Sequence, residues 1–335
     1  MAKNPLWQPR RIVISLPEGL SVMLPGIEAK LAGAAGSLEL VIDRSQDFVL
    51  SAETLQGTDA VIGMCNPHNM MNAGSELLWF QNLFAGMDDC TGLTEQQLEK
   101  ITFTNGKRLS SPAIAEHTIA MMMALAKGLP LYQEAQKTGQ WRRELAYQVR
   151  FGELKGKTLL VVGLGGIGTQ IAQRASGLGL RVTATRNSSR EGPDYVDYVG
   201  LSNELHTLAG EADIIVNALP LTAKTTGLFN KEFFDHVKKG AIFLSVGRGK
   251  STVTTDLISA LESGQLYAAG LDVTDPEPLP ETSVLWKMDN VIITPHIAAM
   301  SGAGLQRAAT LAVENLRRYV AGEALLNTVD MRAGY

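Results

Sequence analysis

The chain has 335 residues, 45% hydrophobic and 19% charged, with a formal net charge of −4. That length is too great for one compact core and suits two domains, and the composition excludes a disordered chain. The mild acidity, without a Lys/Arg cluster, argues against nucleic acid as a partner, and the longest apolar stretches fall far short of the roughly 20 residues that span a bilayer.

The start, MAKNPLWQPRR, has no apolar core of a secretory signal. Cys65 and Cys90 make neither a disulfide framework nor a zinc spacing. That usage suits a reducing cytoplasm and gives no reason to expect a metal.

Residues 10–107 read as a first α/β unit. RRIVISL is a strand, Gly26 to Ala34 is helical in pattern, and LELVI (38–42) and TDAVIGM (58–64) are strands. A fourth strand lies within residues 77–89 and a fifth in KITFTN (100–105). Strands that alternate with helical connections predict a parallel sheet covered on both faces. Loops past the carboxyl ends of such strands bind ligands. Free N–H groups at Cys65 and Asn66 could hold a substrate carboxylate there, although a neutral connecting loop fits the residues nearly as well. Phe84-Ala85-Gly86-Met87-Asp88 is a second loop of this kind, offering Ala85 and Gly86.

PAIAEHTIAMMMALAKG (112–128) is a helix, with Pro112 in its first turn, Gly128 at its end and a Met-rich stripe for packing. Residues 129–156 are polar, contain Trp141, Arg142 and Arg143, and read as an extended arm between domains that could make a dimer contact.

The second unit opens with the stretch that carries the most information, KTLLVVGLGGIGTQIAQRASGLGLRVTATRNSSR (157–190). A buried-strand pattern, Thr158 to Val162, runs into Gly163-Leu164-Gly165-Gly166-Ile167-Gly168. A helical pattern, Thr169 to Leu178, and a strand, Arg181 to Thr185, follow. Strand, G-x-G-x-x-G, helix and strand together mean dinucleotide binding. Gly163 permits the turn, Gly165 lets backbone approach a pyrophosphate, and Gly168 lets helix and strand pack closely. The helix N-terminus then faces the phosphates.

Arg186 occupies the strand-end position where an acid would bind the ribose 2′-OH of NAD. With Asn187, Ser188, Ser189 and Arg190 it suits a 2′-phosphate, so NADP(H) is predicted to be preferred over NAD(H). A basic solvated loop is the competing reading.

Further strands recur at 212–220, 241–247, 268–273 and 290–296, completing a doubly wound sheet, and a long helix runs from Ser301 to Val320. Arg248, Glu277 and His296 each follow one of these strands and should meet the glycine turn in one crevice. A hydride delivered to a ketone leaves an alkoxide that needs a proton, which His296 can supply. Glu277 can orient and stabilise its imidazolium, and Arg248 can grip a substrate carboxylate and polarise the carbonyl. Asp272 either bonds a nicotinamide carboxamide or caps its strand.

GLGGIG, ADIIVNALPLT, the GRG at 247–249, GLDVTDPEPLP and TPHIAA, in this order and spacing, resemble the D-isomer-specific 2-hydroxyacid dehydrogenase family. IAEH, PLPETSVLW and the ending VDMRAGY are most similar to its glyoxylate/hydroxypyruvate reductases. The resemblance implies Arg248, Glu277 and His296 as the catalytic residues. It adds Leu219, Pro220, Thr225, Val246, Gly247 and Ala298 to the cofactor contacts, together with His296. It also implies a Rossmann-type dinucleotide-binding domain, 108–298, inserted into a flavodoxin-like substrate domain, 1–107 with 299–335. The active site would lie in a cleft closed by hinge motion, in a homodimer that reduces a small 2-keto acid to a D-2-hydroxy acid. Departures from the family's usual residues are Ser245 for Asn, Thr274 for an aromatic, and Thr254 and Thr255 for an acidic turn. Glu277 argues against the formate dehydrogenase branch, where Gln is expected. A phosphite or larger keto-acid dehydrogenase, and a dinucleotide-sensing corepressor, remain as alternatives on the same scaffold.

Overall fold

The structure, a computed structural model, describes residues 7–332. The chain divides into two compact units: residues up to Ser110 with those from Met300 on, and Ser111–Ala299. The chain thus enters the second unit after Ser110 and returns to the first at Met300; the sequence had suggested 107/108 and 298/299.

In the first unit the strands are β1 (Arg11–Ser15), β2 (Glu39–Asp43), β3 (Ala60–Gly63), β4 (Trp79–Asn82) and β5 (Thr102–Thr104). They pair in the order β2-β1-β3-β4-β5, all parallel, which is the flavodoxin-like order. β3 is buried along its whole length, the pattern of a central parallel strand. The helix Gly302–Val320 is capped by Ser301, whose Oγ accepts from Gly304 N–H at 3.0 Å. It buries Ala312, Leu316 and Tyr319 in one core with Ile12, Ile14, Leu31 and Trp79. The Tyr319 hydroxyl reaches Asp59 O and Oδ1 at 3.1 and 3.2 Å, so this last helix is tied to the start of β3. Burial, then the Asp59 charge, raises the Tyr319 pKa far above the ordinary phenol value.

One expectation fails here. Cys65 and Cys90 are joined in a disulfide, with Cα atoms 4.9 Å apart. Cys65 lies just past β3 and Cys90 in the loop after the neighbouring β4, and both are buried in one apolar cluster. Two cysteines 25 residues apart carry no such signal in sequence; the adjacency of their strands creates it. Cysteine usage therefore gives no ground for a reducing compartment.

The second unit holds β6 (Thr158–Val162), β7 (Arg181–Thr185), β8 (Tyr198–Gly200), β9 (Ile214–Asn217), β10 (Ala241–Ser245), β11 (Leu266–Leu271) and β12 (Val291–Ile293). Their order is β12-β11-β10-β9-β6-β7-β8, again all parallel. The order reverses at β6 and β9, and this switch point opens a crevice at their carboxyl ends. β6 is fully buried, which agrees with its unbroken apolar run. The helix Ser111–Ala126 packs Ala115, Met122 and Leu125 into the same core as β6 and Ile171.

Residues 129–156 are not an extended arm. They contain a helix, Leu129–Lys137, with Pro130 in its first turn, and a 3-10 helix, Arg143–Gln148. The polar composition concealed a helix that buries only Ala135. Among the described residues, no helix is long and apolar enough to cross a membrane.

Candidate active site

The glycine turn after β6 has the shape the sequence requires. Gly163 has φ +101°, and its N–H and that of Leu164 bond Thr185 O at 3.2 and 3.0 Å. A Cβ at Gly168 would run into the Gly163 carbonyl. At Gly165 a Cβ would meet nothing within 4 Å. No side chain caps the helix Gly166–Gly177. Open space beside an uncapped helix N-terminus fits a dinucleotide pyrophosphate. The helix starts at Gly166 rather than Thr169, so Ile167 and Gly168 form its first turn. The low helix propensity of glycine hides that turn in sequence.

Neighbouring loops close around this turn. Leu219 Cδ2 would lie 3.0 Å from a Cβ at Gly163. Leu219 N–H bonds Asn217 Oδ1 at 3.1 Å, Thr225 Oγ1 donates to Pro220 O at 2.7 Å, and Val246 N–H donates to Asn217 O at 3.1 Å. Gly247 abuts the Leu219 carbonyl.

Past β7 the two arginines differ. Arg186 Nη1 donates to a backbone carbonyl, Glu191 O, at 3.0 Å. Arg190 is bound by Glu204 Oε2 at 2.7 Å and by the Tyr198 hydroxyl at 2.9 Å, and that hydroxyl donates to Glu204 Oε1 at 2.5 Å. Hydrogen bonds from Tyr198 first and Arg190 second hold the Glu204 carboxyl down to about 2. Arg190 is thus already held, a circumstance that sequence could not show. Ser189 Oγ accepts from Glu191 N–H at 3.3 Å. Asn187 and Ser188 are exposed on the same loop.

Arg248, Glu277 and His296 follow β10, β11 and β12, three adjacent strands. His296 Nδ1 lies 2.6 Å from Glu277 Oε1, and both side chains are about two-fifths exposed. Arg248 precedes a glycine pressed so closely on the Thr274 backbone that a Cβ at Gly249 would strike its carbonyl. The Arg248 turn is therefore packed on the loop that carries Glu277. Arg248 Nη1 donates to Gly247 O at 2.8 Å, and Ser251 Oγ to Arg248 O at 2.6 Å.

Asp272 is tied to the loop that follows β12. It is 3% exposed. Its Oδ1 accepts from Thr294 Oγ1 at 2.7 Å and Ile297 N–H at 3.0 Å, and Ala298 N–H reaches both carboxylate oxygens. Its backbone oxygen accepts from His296 N–H at 2.8 Å.

In the first unit, the expected free N–H at Cys65 is taken: it donates to Asn82 Oδ1 at 3.0 Å. Asn66 Oδ1 caps the helix Pro67–Asn72 by accepting from Asn69 N–H at 2.9 Å. Ala85 O accepts from Asn105 Nδ2 at 2.6 Å, and Gly86 O from Asn82 Nδ2 at 2.8 Å.

Comparison with known proteins decides the family. The D-isomer specific 2-hydroxyacid dehydrogenase, NAD binding domain, matches residues 119–298. The chain belongs to the D-isomer-specific 2-hydroxyacid dehydrogenase family. A glyoxylate reductase of Thermofilum pendens is 31% identical over 300 residues, 86% of this chain and 88% of that protein. A family member from Xanthobacter autotrophicus Py2, solved with NADPH and MES, has a TM-score of 0.78 at 29% identity, covering 98% of this chain and all of the other. An NADPH-dependent glyoxylate/hydroxypyruvate reductase from Sinorhizobium meliloti, solved with NADP and sulfate, has a TM-score of 0.79 at 26% identity over 97% of this chain and all of its own. This dehydrogenase is an NAD(P)-dependent oxidoreductase similar to glyoxylate/hydroxypyruvate reductases.

The dehydrogenase's departures from the family's residues have local partners. Ser245 Oγ accepts from the buried Asn217 Nδ2 at 3.1 Å, which also reaches Ser251 Oγ at 2.7 Å. Thr254 Oγ1 donates to Asp275 O at 2.6 Å and Thr274 Oγ1 to Pro276 O at 2.9 Å, so both brace the chain leading to Glu277. Sequence reasoning passed over His117, whose Nε2 lies 2.9 Å from Thr294 Oγ1. A lone histidine on a helix gives no signal of a partner 177 residues away.

Proposed function

We propose that the dehydrogenase reduces a small 2-keto acid, glyoxylate or hydroxypyruvate, to a D-2-hydroxy acid at the expense of NADPH. The observation that carries this reading is the 2.6 Å contact between His296 Nδ1 and Glu277 Oε1. An ionised carboxylate only accepts, so Nδ1 carries the proton of that bond and Nε2 is directed elsewhere on the ring. Bound coenzyme supplies the hydride. His296 gives a proton from Nε2 to the carbonyl oxygen as charge develops there, and Glu277 stabilises the imidazolium that serves as donor. Arg248 grips the substrate carboxylate with its planar fork and polarises the carbonyl. Asn66 N–H and the Ala85-Gly86 loop serve as the first unit's substrate contacts.

The glycine turn, Leu219, Pro220, Thr225, Val246, Gly247 and Ala298 hold the coenzyme. Arg186 is the main contact to the 2′-phosphate, because Glu204 already occupies Arg190. Relatives solved with NADPH and NADP support use of NADP(H). We read Trp141 and Tyr147, 92% and 93% exposed, as part of a homodimer face. They belong to the segment that lines a hollow of about 670 Å³ with Trp286 and Leu131. Sedimentation of a monomer at micromolar concentration would remove that assignment.

The test is loss of NADPH absorbance with a panel of 2-keto acids and with phosphite and NADP as the reverse control. Glyoxylate or hydroxypyruvate should give the highest kcat/KM, with NADPH exceeding NADH. A preference for NADH would overturn the coenzyme assignment. NADPH binding without turnover would favour the corepressor reading, and turnover of phosphite alone would replace the substrate.

A further inference from the structure

We propose that His117 is a positioning residue for the proton donor, acting through Thr294 and Asp272 on the backbone of the His296 loop. The inference rests on the reading of His296 as that donor. His117 lies on the helix Ser111–Ala126, with its side chain 23% exposed. Its Nε2 is 2.9 Å from Thr294 Oγ1 and 3.8 Å from Asp272 Oδ1.

Proton accounting gives the chain a direction. The Asp272 carboxylate receives the Thr294 hydroxyl and the N–H groups of Ile297 and Ala298, so it acts as acceptor. A hydroxyl has one proton, and Thr294 spends it on Asp272. The Thr294 oxygen must therefore accept from His117, which places a proton on His117 Nε2. The order is His117 Nε2–H to Thr294 Oγ1–H to Asp272 Oδ1. Polarised chains of this kind strengthen each link.

The far end of the chain is the loop that presents the imidazole. Asp272 binds three consecutive residues of it: His296 N–H through its backbone oxygen, and Ile297 and Ala298 N–H through its carboxylate. His296 itself has φ +53°, a left-handed conformation that is uncommon for a residue other than glycine, though histidine is among those that tolerate it best. Asp272 and Thr294 hold it there, since His296 N–H also reaches Thr294 O at 3.0 Å. His117 fixes the side chain of Thr294 from outside this loop. Without that donor, the Thr294 hydroxyl is free to rotate away from Asp272, and the loop loses one of its ties.

The test compares His117→Leu, which removes the donor, with His117→Gln, whose amide nitrogen falls near the position of Nε2. Thr294→Val and the double variant His117→Leu/Thr294→Val complete a cycle. For the keto acid, His117→Leu and Thr294→Val should each lower kcat by about ten- to a hundredfold, as displacement of a reacting group by about 1 Å does. The double variant should be no slower than the slower single variant. His117→Gln should recover most of the rate, and in every variant NADPH affinity should fall less than kcat, since Ala298 is the one coenzyme contact on the loosened segment.

A second readout needs no turnover. Amide hydrogen exchange of the segment containing Ile297 and Ala298 should quicken severalfold in His117→Leu and return to the wild-type rate in His117→Gln. Wild-type exchange and wild-type kcat in His117→Leu would overturn the proposal. So would equal loss in the Leu and Gln variants, which would mark a packing role. If the wild type reduces no keto acid at all, the functional reading fails, and the exchange measurement alone decides whether His117 holds the loop.

Discussion

The loops at the carboxyl ends of the two sheets are held by different chemistry. In the dinucleotide-binding unit, glycine contacts and a buried carboxylate fix most of them: Gly168 against Gly163, Gly249 against Thr274, and Asp272 against residues 296–298, with the Asn217 amide added between Leu219, Ser245 and Ser251. In the other unit, asparagine amides do this work. Asn82 accepts from Cys65 N–H and donates to Phe84 O and Gly86 O, so one side chain ties the loop after β3 to the loop after β4. Asn69 accepts from Leu50 N–H and donates to Phe48 O and Met64 O. An amide can satisfy donors and acceptors together without charge. A glycine or an aspartate in such a loop advertises a steric or electrostatic need, whereas an asparagine is compatible with nearly any turn. The comparison explains why one set of loops could be assigned from residue type and the other could not.

The sharpest way to break this contrast is to remove the group each set of loops presents or depends on. His296→Ala deletes the proposed proton donor but leaves the Asp272 bonds to the backbone intact. The expected result is a fall in kcat of about 10²–10⁴-fold with NADPH affinity little changed, measured by steady-state rates and by fluorescence titration of NADPH. A rate near wild type would show that the proton comes from elsewhere.

Asn82→Ala should act on stability and on substrate binding instead. It strands Cys65 N–H and Gly86 O in a region where Asn82 is only 4% exposed, while Phe84 O keeps its bond from Gly106 N–H. Buried groups left without partners cost about 1–3 kcal/mol each, and water entering the loop will satisfy some of them. A loss of about 2–4 kcal/mol in denaturant unfolding is expected, together with a higher KM for the keto acid and a kcat closer to wild type. The Cys65–Cys90 disulfide limits how far the two loops can part, so reduction should deepen the defect. If KM is unchanged while stability falls, these loops are scaffold and the substrate contacts lie elsewhere.

Much of the layout of the second unit was legible because unusual residue types stand at fixed spacing after its apolar strands. The glycine turn, Arg248, Glu277 and His296 could be placed after apolar runs, and the three strands that precede Arg248, Glu277 and His296 are adjacent. What stayed hidden was pairing at long range. The disulfide depends on the adjacency of β3 and β4, the Arg190–Glu204 pair on the short edge strand β8, and the His117–Thr294 bond on a helix packed beside the sheet. β8 has three residues and no apolar run, and it was missed altogether. The helix Leu129–Lys137 was missed because it is nine residues long and of polar composition, so it read as part of an extended arm.

The smallest expected effect tests whether the coenzyme loop belongs with the legible features or the hidden ones. If Arg190 were a phosphate contact as its residue type suggests, Glu204→Gln would change little. If Glu204 holds it back, the substitution releases a guanidinium, and the kcat/KM ratio of NADPH over NADH should rise by about two- to fivefold, the range of an exposed ion pair. pH separates this effect from ionisation of the coenzyme. Glu204 has its carboxyl lowered from 4.5 to about 2, so the stability its pairing contributes is complete above pH 4.5 and is lost only as pH falls through about 2. A phosphate monoester gains its second proton near pH 6, so the kcat/KM ratio of NADPH over NADH should decline for both enzymes from pH 7.5 to 5.5. The two curves should decline in parallel, because the Glu204 charge is constant over that interval. Curves that converge toward pH 5.5 would mean that the pair itself titrates there, and Glu204 could not then be what keeps Arg190 from the phosphate.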